Sequence, residues 1–249
     1  MLATILIDRY KKTETKEIAE ALKLITIENQ QDWSTAGIYC YWDYCKKEIL
    51  YIGLAVDLLE RFKQHNGISN CDPKSCKIEK INNYFSSNEY IGFSIILQSS
   101  LSQPVTKKQI RKHSNFSKSE LIEILGKNGA DEIKHTEGIL IEGFNTKYNK
   151  KPEWNIIGGS TQAQSIAKGK NVKILEYLTL TEPNKYISRV SLRELSKNKD
   201  YLKYEAYLHS IRISPLPSEQ TINMHQNDFQ MFTFNEISEN NYFKKRLVI

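Results

Sequence analysis

Arg61 and His65 stand four residues apart, just after an Asp57–Glu60 pair that suits a helix N-terminus. On a helix that spacing puts both side chains on one face. They sit beside Leu58 and Phe62, at the rim of the apolar side, where a guanidinium and an imidazole can reach a cleft. A second helix offers an acid. Between 131 and 144, Ile133, Leu140, Ile141 and Phe144 form one apolar stripe, Glu137 falls inside it, and Glu142 projects to the opposite side. A carboxylate in a buried stripe is costly unless a cation or polar cleft compensates it. Glu137 is therefore the candidate for chemistry, and Glu142 reads as a solvated charge. Tyr39 and Tyr51 lie in two neighbouring strand-forming segments, so their phenols can converge. A guanidinium, an imidazole, a carboxylate and two phenols can bind an anion and move a proton. Cys40, Cys45, Cys71 and Cys76 form two C-x4-C pairs. They admit either a zinc site or reduced thiols, and four cysteines in a chain this long are no disulfide scaffold.

These residues need elements to position them. A helical pattern covers 13–33, with Ile18, Ala21, Leu22 and Ile25 on one face. Gly37–Trp42 and Glu48–Gly53 read as strands of an antiparallel hairpin, with a polar turn at Asp43–Lys47. A helix from Asp57 to His65, a loop over 68–76, a short helix over 77–87, a third strand over 90–98 and an amphipathic helix over 131–144 follow. Residues 101–130 are polar, with helical pieces around 106–113 and 118–126. The tail mixes helix (171–178 and 190–209) with a strand-like IRISP stretch at 211–215. The predicted class is α+β: a three-stranded antiparallel sheet flanked by helices, with mainly helical extensions at both ends. The predicted division is an N-terminal helical extension (1–35), a core (36–159, with an insertion at about 99–130) and a C-terminal extension (160–249).

Gly37-Ile38-Tyr39, then eleven intervening residues and Tyr51-Ile52-Gly53, resembles the two-strand signature of the GIY-YIG endonucleases. Each tripeptide alone is weak, and the pair at hairpin spacing is much stronger. Arg61 ten residues after Tyr51, His65 four further on, and a glutamate on a later helix fit the same pattern; the resemblance covers about 36–158. It implies a small nuclease core in which Tyr39 is the base or water-orienter, His65 accepts or relays the proton, and Tyr51 positions water or phosphate. Arg61 would fork onto phosphate oxygens. Glu137, four residues before Ile141, would hold one Mg²⁺, with Mn²⁺ as a substitute. Charge on Arg61, His65 and the metal would favour the Tyr39 phenolate. The family also implies an asparagine after the glutamate helix, often as P-x-x-N. Asn149 has the short spacing but Thr146 where proline is common, whereas Asn155 has the pattern in Pro152-Glu153-Trp154-Asn155. Asn155 is preferred, in a structural role that holds the hairpin or the helix end. Leu54 departs from the family, where a polar residue is common, which puts one phosphate contact in doubt.

The 249 residues carry 40 % hydrophobic and 26 % charged side chains, enough for a packed core and against wholesale disorder. The net charge of +6 is compatible with a polyanionic partner. No apolar run approaches the ~20 residues of a membrane span, and Asp8 and Arg9 interrupt the N-terminus too early for a secretory signal. The expectation is a cytoplasmic protein without membrane contact. Lys107, Lys108, Arg111 and Lys112 form a basic run suited to DNA phosphates. The reading that follows from the resemblance is a Mg²⁺-dependent endonuclease of double-stranded DNA, of the type II restriction kind, with a homing or structure-selective nuclease next. A non-catalytic nucleic-acid-binding module is the alternative from another class. Because one centre cuts one strand, double-strand cutting implies a homodimer or sequential nicking.

Overall fold

The computed structural model describes residues 2–28, 33–72, 75–99, 102–105, 115, 117, 119–120, 123, 129–168, 171–182, 184–213 and 237–249. The expected hairpin pairs β2 (Trp33–Asp43) with β3 (Glu48–Ala55), antiparallel, with Tyr39 opposite Gly53 and Tyr41 opposite Tyr51. Its turn is set by Asp43, whose Oδ1 accepts the backbone N–H groups of Cys45 and Lys46 at 2.9 and 2.8 Å. The strand β4 (Ile91–Ser99), buried along its whole length, pairs with the other side of β2.

The sheet has four strands, not three. Leu2–Tyr10 forms β1 and pairs antiparallel with β4, giving the order β1-β4-β2-β3. The N-terminal segment is thus a strand followed by a helix, α1 (Thr15–Lys23), rather than a helical extension. Residues 4–8 of β1 are buried on both faces, which removes the period-two alternation that marks a half-exposed strand. Asp8 lies among these buried residues, and Arg193 closes on it: its Nη2 lies 3.0 Å from Oδ1, and its Nη1 reaches Glu14 and Glu17 at 3.2 and 3.3 Å.

Helices cover both faces. α1, α2 (Leu58–His65), α7 (Leu192–Lys197) and α8 (Lys199–Ile213) pack on the face that carries Tyr39, Tyr41 and Tyr51. α4 (Gly129–Tyr148) and α6 (Val172–Tyr177) cover the face that carries Ile38, Cys40 and Ile52. α3 (Ile78–Phe85) links α2 to β4, and the short α5 (Thr161–Ile166) lies against α4 at Gly138. The expected helix over 190–209 is two helices. Asn198 adopts an extended conformation (φ −118°, ψ 108°), and its Oδ1 caps α8 at Asp200 and Tyr201. Ile211–Ile213, read as strand-like, are the last turn of α8. The segment 106–113, with Lys107, Lys108, Arg111 and Lys112, lies outside the described residues, as does most of 118–126. No helix among the described residues is long and apolar enough to cross a membrane.

The Asp8–Arg193 pair ties the C-terminal helices to β1. Arg193→Ala is expected to lower the unfolding free energy by about 3 kcal/mol, because it strands a buried carboxylate. Urea denaturation checks this: an unchanged midpoint would mean the pair contributes nothing.

Candidate active site

Asp57 starts α2 as expected, its Oδ1 accepting the Glu60 backbone N–H at 2.9 Å. That start fixes the rotation of α2, which turns His65 and Arg61 toward Tyr39. His65 is fully buried, and its Nε2 lies 2.7 Å from the Tyr39 hydroxyl. Its Nδ1 accepts the backbone N–H of Lys77 at 2.9 Å. A backbone N–H can only donate, so the neutral ring carries its proton on Nε2 and donates it to Tyr39 Oη. Burial, with Arg61 and Lys77 nearby, pushes the His65 pKa down to about 3. The imidazole is therefore an uncharged donor at neutral pH, not the charged neighbour expected to favour the Tyr39 phenolate.

Arg61 gives Tyr39 Oη a second donor, Nε at 3.3 Å. Its Nη1 reaches Gln64 Oε1 at 3.1 Å and its Nη2 the Ser75 carbonyl at 2.7 Å. Among the described residues these three bonds orient the guanidinium, and Arg61 also acts on the Tyr51 hydroxyl. Tyr39 is 3 % exposed. Burial raises its pKa well above the usual tyrosine value and outweighs the pull of Arg61, with Tyr51 adding to the rise. Arg61 alone therefore does not bring Tyr39 to the phenolate. Tyr51 is also raised, first by burial, and the Lys77 ammonium lies 4.9 Å from its ring centre. Gly53 accounts for the close packing: a Cβ there would come within 2.6 Å of the Tyr39 hydroxyl and 2.8 Å of the Tyr51 ring.

The acid reaches this group around the sheet edge. β3 is an edge strand, so the outward backbone groups of Leu50, Ile52 and Leu54 need partners other than a strand. Asn155 holds Ile52 from both sides, its Oδ1 accepting from Ile52 N at 2.9 Å and its Nδ2 donating to Ile52 O at 2.8 Å. The Trp154 N–H donates to the Leu50 carbonyl at 2.9 Å. Glu137 Oε1 accepts from Leu54 N at 3.2 Å. Burial raises the Glu137 pKa from its ordinary value, opposed by the Leu54 N–H and by Arg61; its charge in turn raises Tyr51. Asn149, the other asparagine considered, takes a left-handed conformation (φ 53°) just after α4, and its N–H bonds to the Asn145 carbonyl.

Glu137 Oε2 has no hydrogen-bond partner among the described residues. Among those residues no three His, Cys, Asp or Glu side chains are grouped to hold a metal by themselves. A single half-buried carboxylate fits an ion that keeps most of its water and takes further oxygens from a phosphate, as Mg²⁺ does. The four cysteines make no joint zinc site: Cys40 is buried on the α4 face, Cys45 is exposed in the β2–β3 turn, and Cys71 and Cys76 lie between α2 and α3.

The structure thus joins Tyr39, Tyr51, Arg61, His65, Glu137 and Asn155 around one end of the β2–β3 hairpin. Sequence reading missed Lys77 and Ser75, whose backbone groups fix His65 and Arg61. Only the position of the 68–76 loop, directly after those two residues, could have signalled them. Comparison of the chain with protein-family models, with curated proteins and with solved structures finds no match.

¹⁵N NMR of the imidazole is expected to show the Nε2–H tautomer of His65 still neutral at pH 5. An ordinary histidine of pKa near 6.5 would be almost wholly protonated there. The sign of the linkage follows. A depressed pKa means that the folded state binds fewer protons, so His65 supports the fold above pH ~6.5 and less as pH falls toward its folded pKa. A protonated His65 at pH 5 would contradict this geometry.

Proposed function

We propose that the protein is a Mg²⁺-dependent endonuclease of the GIY-YIG kind that hydrolyses phosphodiesters of double-stranded DNA, acting as a type II restriction-like enzyme. The observation that carries the reading is the Tyr39 hydroxyl receiving two N–H donors, from His65 and Arg61, with the Glu137 carboxylate brought to the adjoining strand edge.

In-line hydrolysis needs an oriented water, a cationic clamp on the phosphate and a sink for the water proton. Arg61 forks onto non-bridging oxygens. Tyr39 Oη orients the attacking water. When Tyr39 is ionised, that oxygen takes the water proton, while the His65 and Arg61 N–H groups stabilise the phenolate. Tyr51, in ring contact with both Tyr39 and His65, confines the water on the open side. Glu137 would hold the divalent ion, which when bound supplies charge stabilisation at the non-bridging and leaving oxygens. Asn155 acts on none of the reacting atoms and keeps β3 in place.

Supercoiled plasmids of varied sequence, together with genomic DNA, test the activity with Mg²⁺ present, and sequencing the ends distinguishes restriction, homing and structure-selective cutting. Intact DNA across such a set would overturn the proposal. Glu137→Gln is expected to bind DNA and to lose cleavage by at least about 10³-fold; unchanged turnover would mean the acid is misassigned. Because Tyr39 is largely protonated at neutral pH, cleavage should rise about tenfold per pH unit from pH 7 to 9 if its phenolate takes the proton. A flat profile measured on the chemical step would remove Tyr39 as the base.

A further inference from the structure

The loop that fastens Asn155 to β3 continues into two isoleucines, Ile156 and Ile157, which are 82 % and 76 % exposed. Among the described residues they are the only adjacent pair of exposed large hydrophobics. Exposure on this scale at a fixed position calls for an account. The tip is held at both ends. Before it, Trp154 is buried and bonded to Leu50, and Asn155 holds Ile52 twice. After it, Gln164 Nε2 donates to the Gly158 and Gly159 carbonyls at 2.8 and 3.3 Å. Gly159 closes the loop with φ +75°. Ile52, which carries Asn155, lies two residues along β3 from Leu54, which carries Glu137. Two residues of strand span about 7 Å, and Gly159 at the other end of the tip packs on Gly138, the residue after Glu137, so both anchors of the tip border the Glu137 end of the candidate site.

Resting on the nuclease reading above, we propose that Ile156 and Ile157 form an apolar wedge that enters the DNA base stack next to the scissile phosphate. Aliphatic side chains partly unstack a base step in this way and kink and unwind the duplex. Two observations favour DNA as the occupant over a second copy of the chain. The first is charge. Lys150 and Lys151 are exposed on the same loop, the Lys151 side chain runs beside Gly158, and Glu153 is the one exposed acid among them. A wedge flanked by cations suits a polyanion. The second is area. Two isoleucine side chains offer far less than the roughly 800 Å² that each partner of a stable dimer buries.

The test separates the wedge from the cutting. Closed circular plasmid is relaxed by topoisomerase I in the presence of Glu137→Gln protein, the protein is removed, and topoisomers are resolved on a gel. The expected result is a set of circles with reduced linking number, in proportion to the protein bound. Ile156→Ala with Ile157→Ala on the same background should lose most of that shift. Its DNA affinity by filter binding should fall by less than about tenfold, because phosphate contacts carry most of non-specific binding. Leucine at both positions should restore the shift. Both sites are exposed, and an unchanged circular dichroism melt establishes that the alanine variant folds. An equal shift from the alanine variant, or no shift from the parent, overturns the wedge. So does a dimer of the parent that the alanine substitutions convert to monomer while the shift persists. Wild-type cleavage without a shift sinks the wedge alone, and a shift without wild-type cleavage sinks the nuclease alone.

Discussion

The outer edge of β3 governs the arrangement of this protein. An edge strand leaves a row of backbone donors and acceptors without strand partners, and a folded chain must cover or satisfy them. Here the partners come from residues about a hundred positions later in sequence: Trp154 through its backbone, Asn155 through its amide and Glu137 through its carboxylate. The same bonds that cover the sheet edge deliver the Glu137 carboxylate to the group. They also fix the hairpin that carries Tyr39 and Tyr51. Fold stability and site geometry therefore share one set of contacts.

Within that frame the balance of burial against charge sets the chemistry. His65 is too deeply buried, and too near Arg61 and Lys77, to hold a proton on both nitrogens. It therefore acts as a fixed donor whose direction is set by a single backbone N–H. Arg61 is likewise spent in part on protein partners, which orients its remaining N–H faces instead of leaving them mobile. Tyr39 sits where both donors meet, over a glycine that leaves no room for any side chain. Burial disfavours charge on Tyr39, Tyr51 and Glu137 alike, so an anion bound beside them with its counterion would meet little competing solvation.

Much of this was legible in the sequence, because local signals sufficed. The hairpin came from two strand-forming runs around a polar turn, α2 from its Asp57 cap, and α4 from its apolar stripe. The choice of Glu137 over Glu142 followed from one helical wheel, and Glu137 is the one found at the β3 edge. What stayed hidden depends on contacts distant in sequence. β1 lacks alternation because both its faces are buried, and its Asp8 is neutralised by an arginine 185 residues away. The break at Asn198 turns on a side chain capping the next helix, a choice that helical periodicity does not register. The protonation of His65 is set by a backbone donor twelve residues away, and no residue type encodes it.

Crystals of the wild-type protein soaked in Mn²⁺ and measured at the manganese absorption edge would locate the divalent ion that Glu137 is proposed to hold. The expected result is an anomalous peak roughly 2.0–2.5 Å from a carboxylate oxygen of Glu137, on the side of β3 that faces Tyr39, Tyr51 and Arg61, and lost in Glu137→Gln. A peak elsewhere, or a peak that survives that substitution, would separate the acid from the phenols and leave the joined group without its metal-binding member.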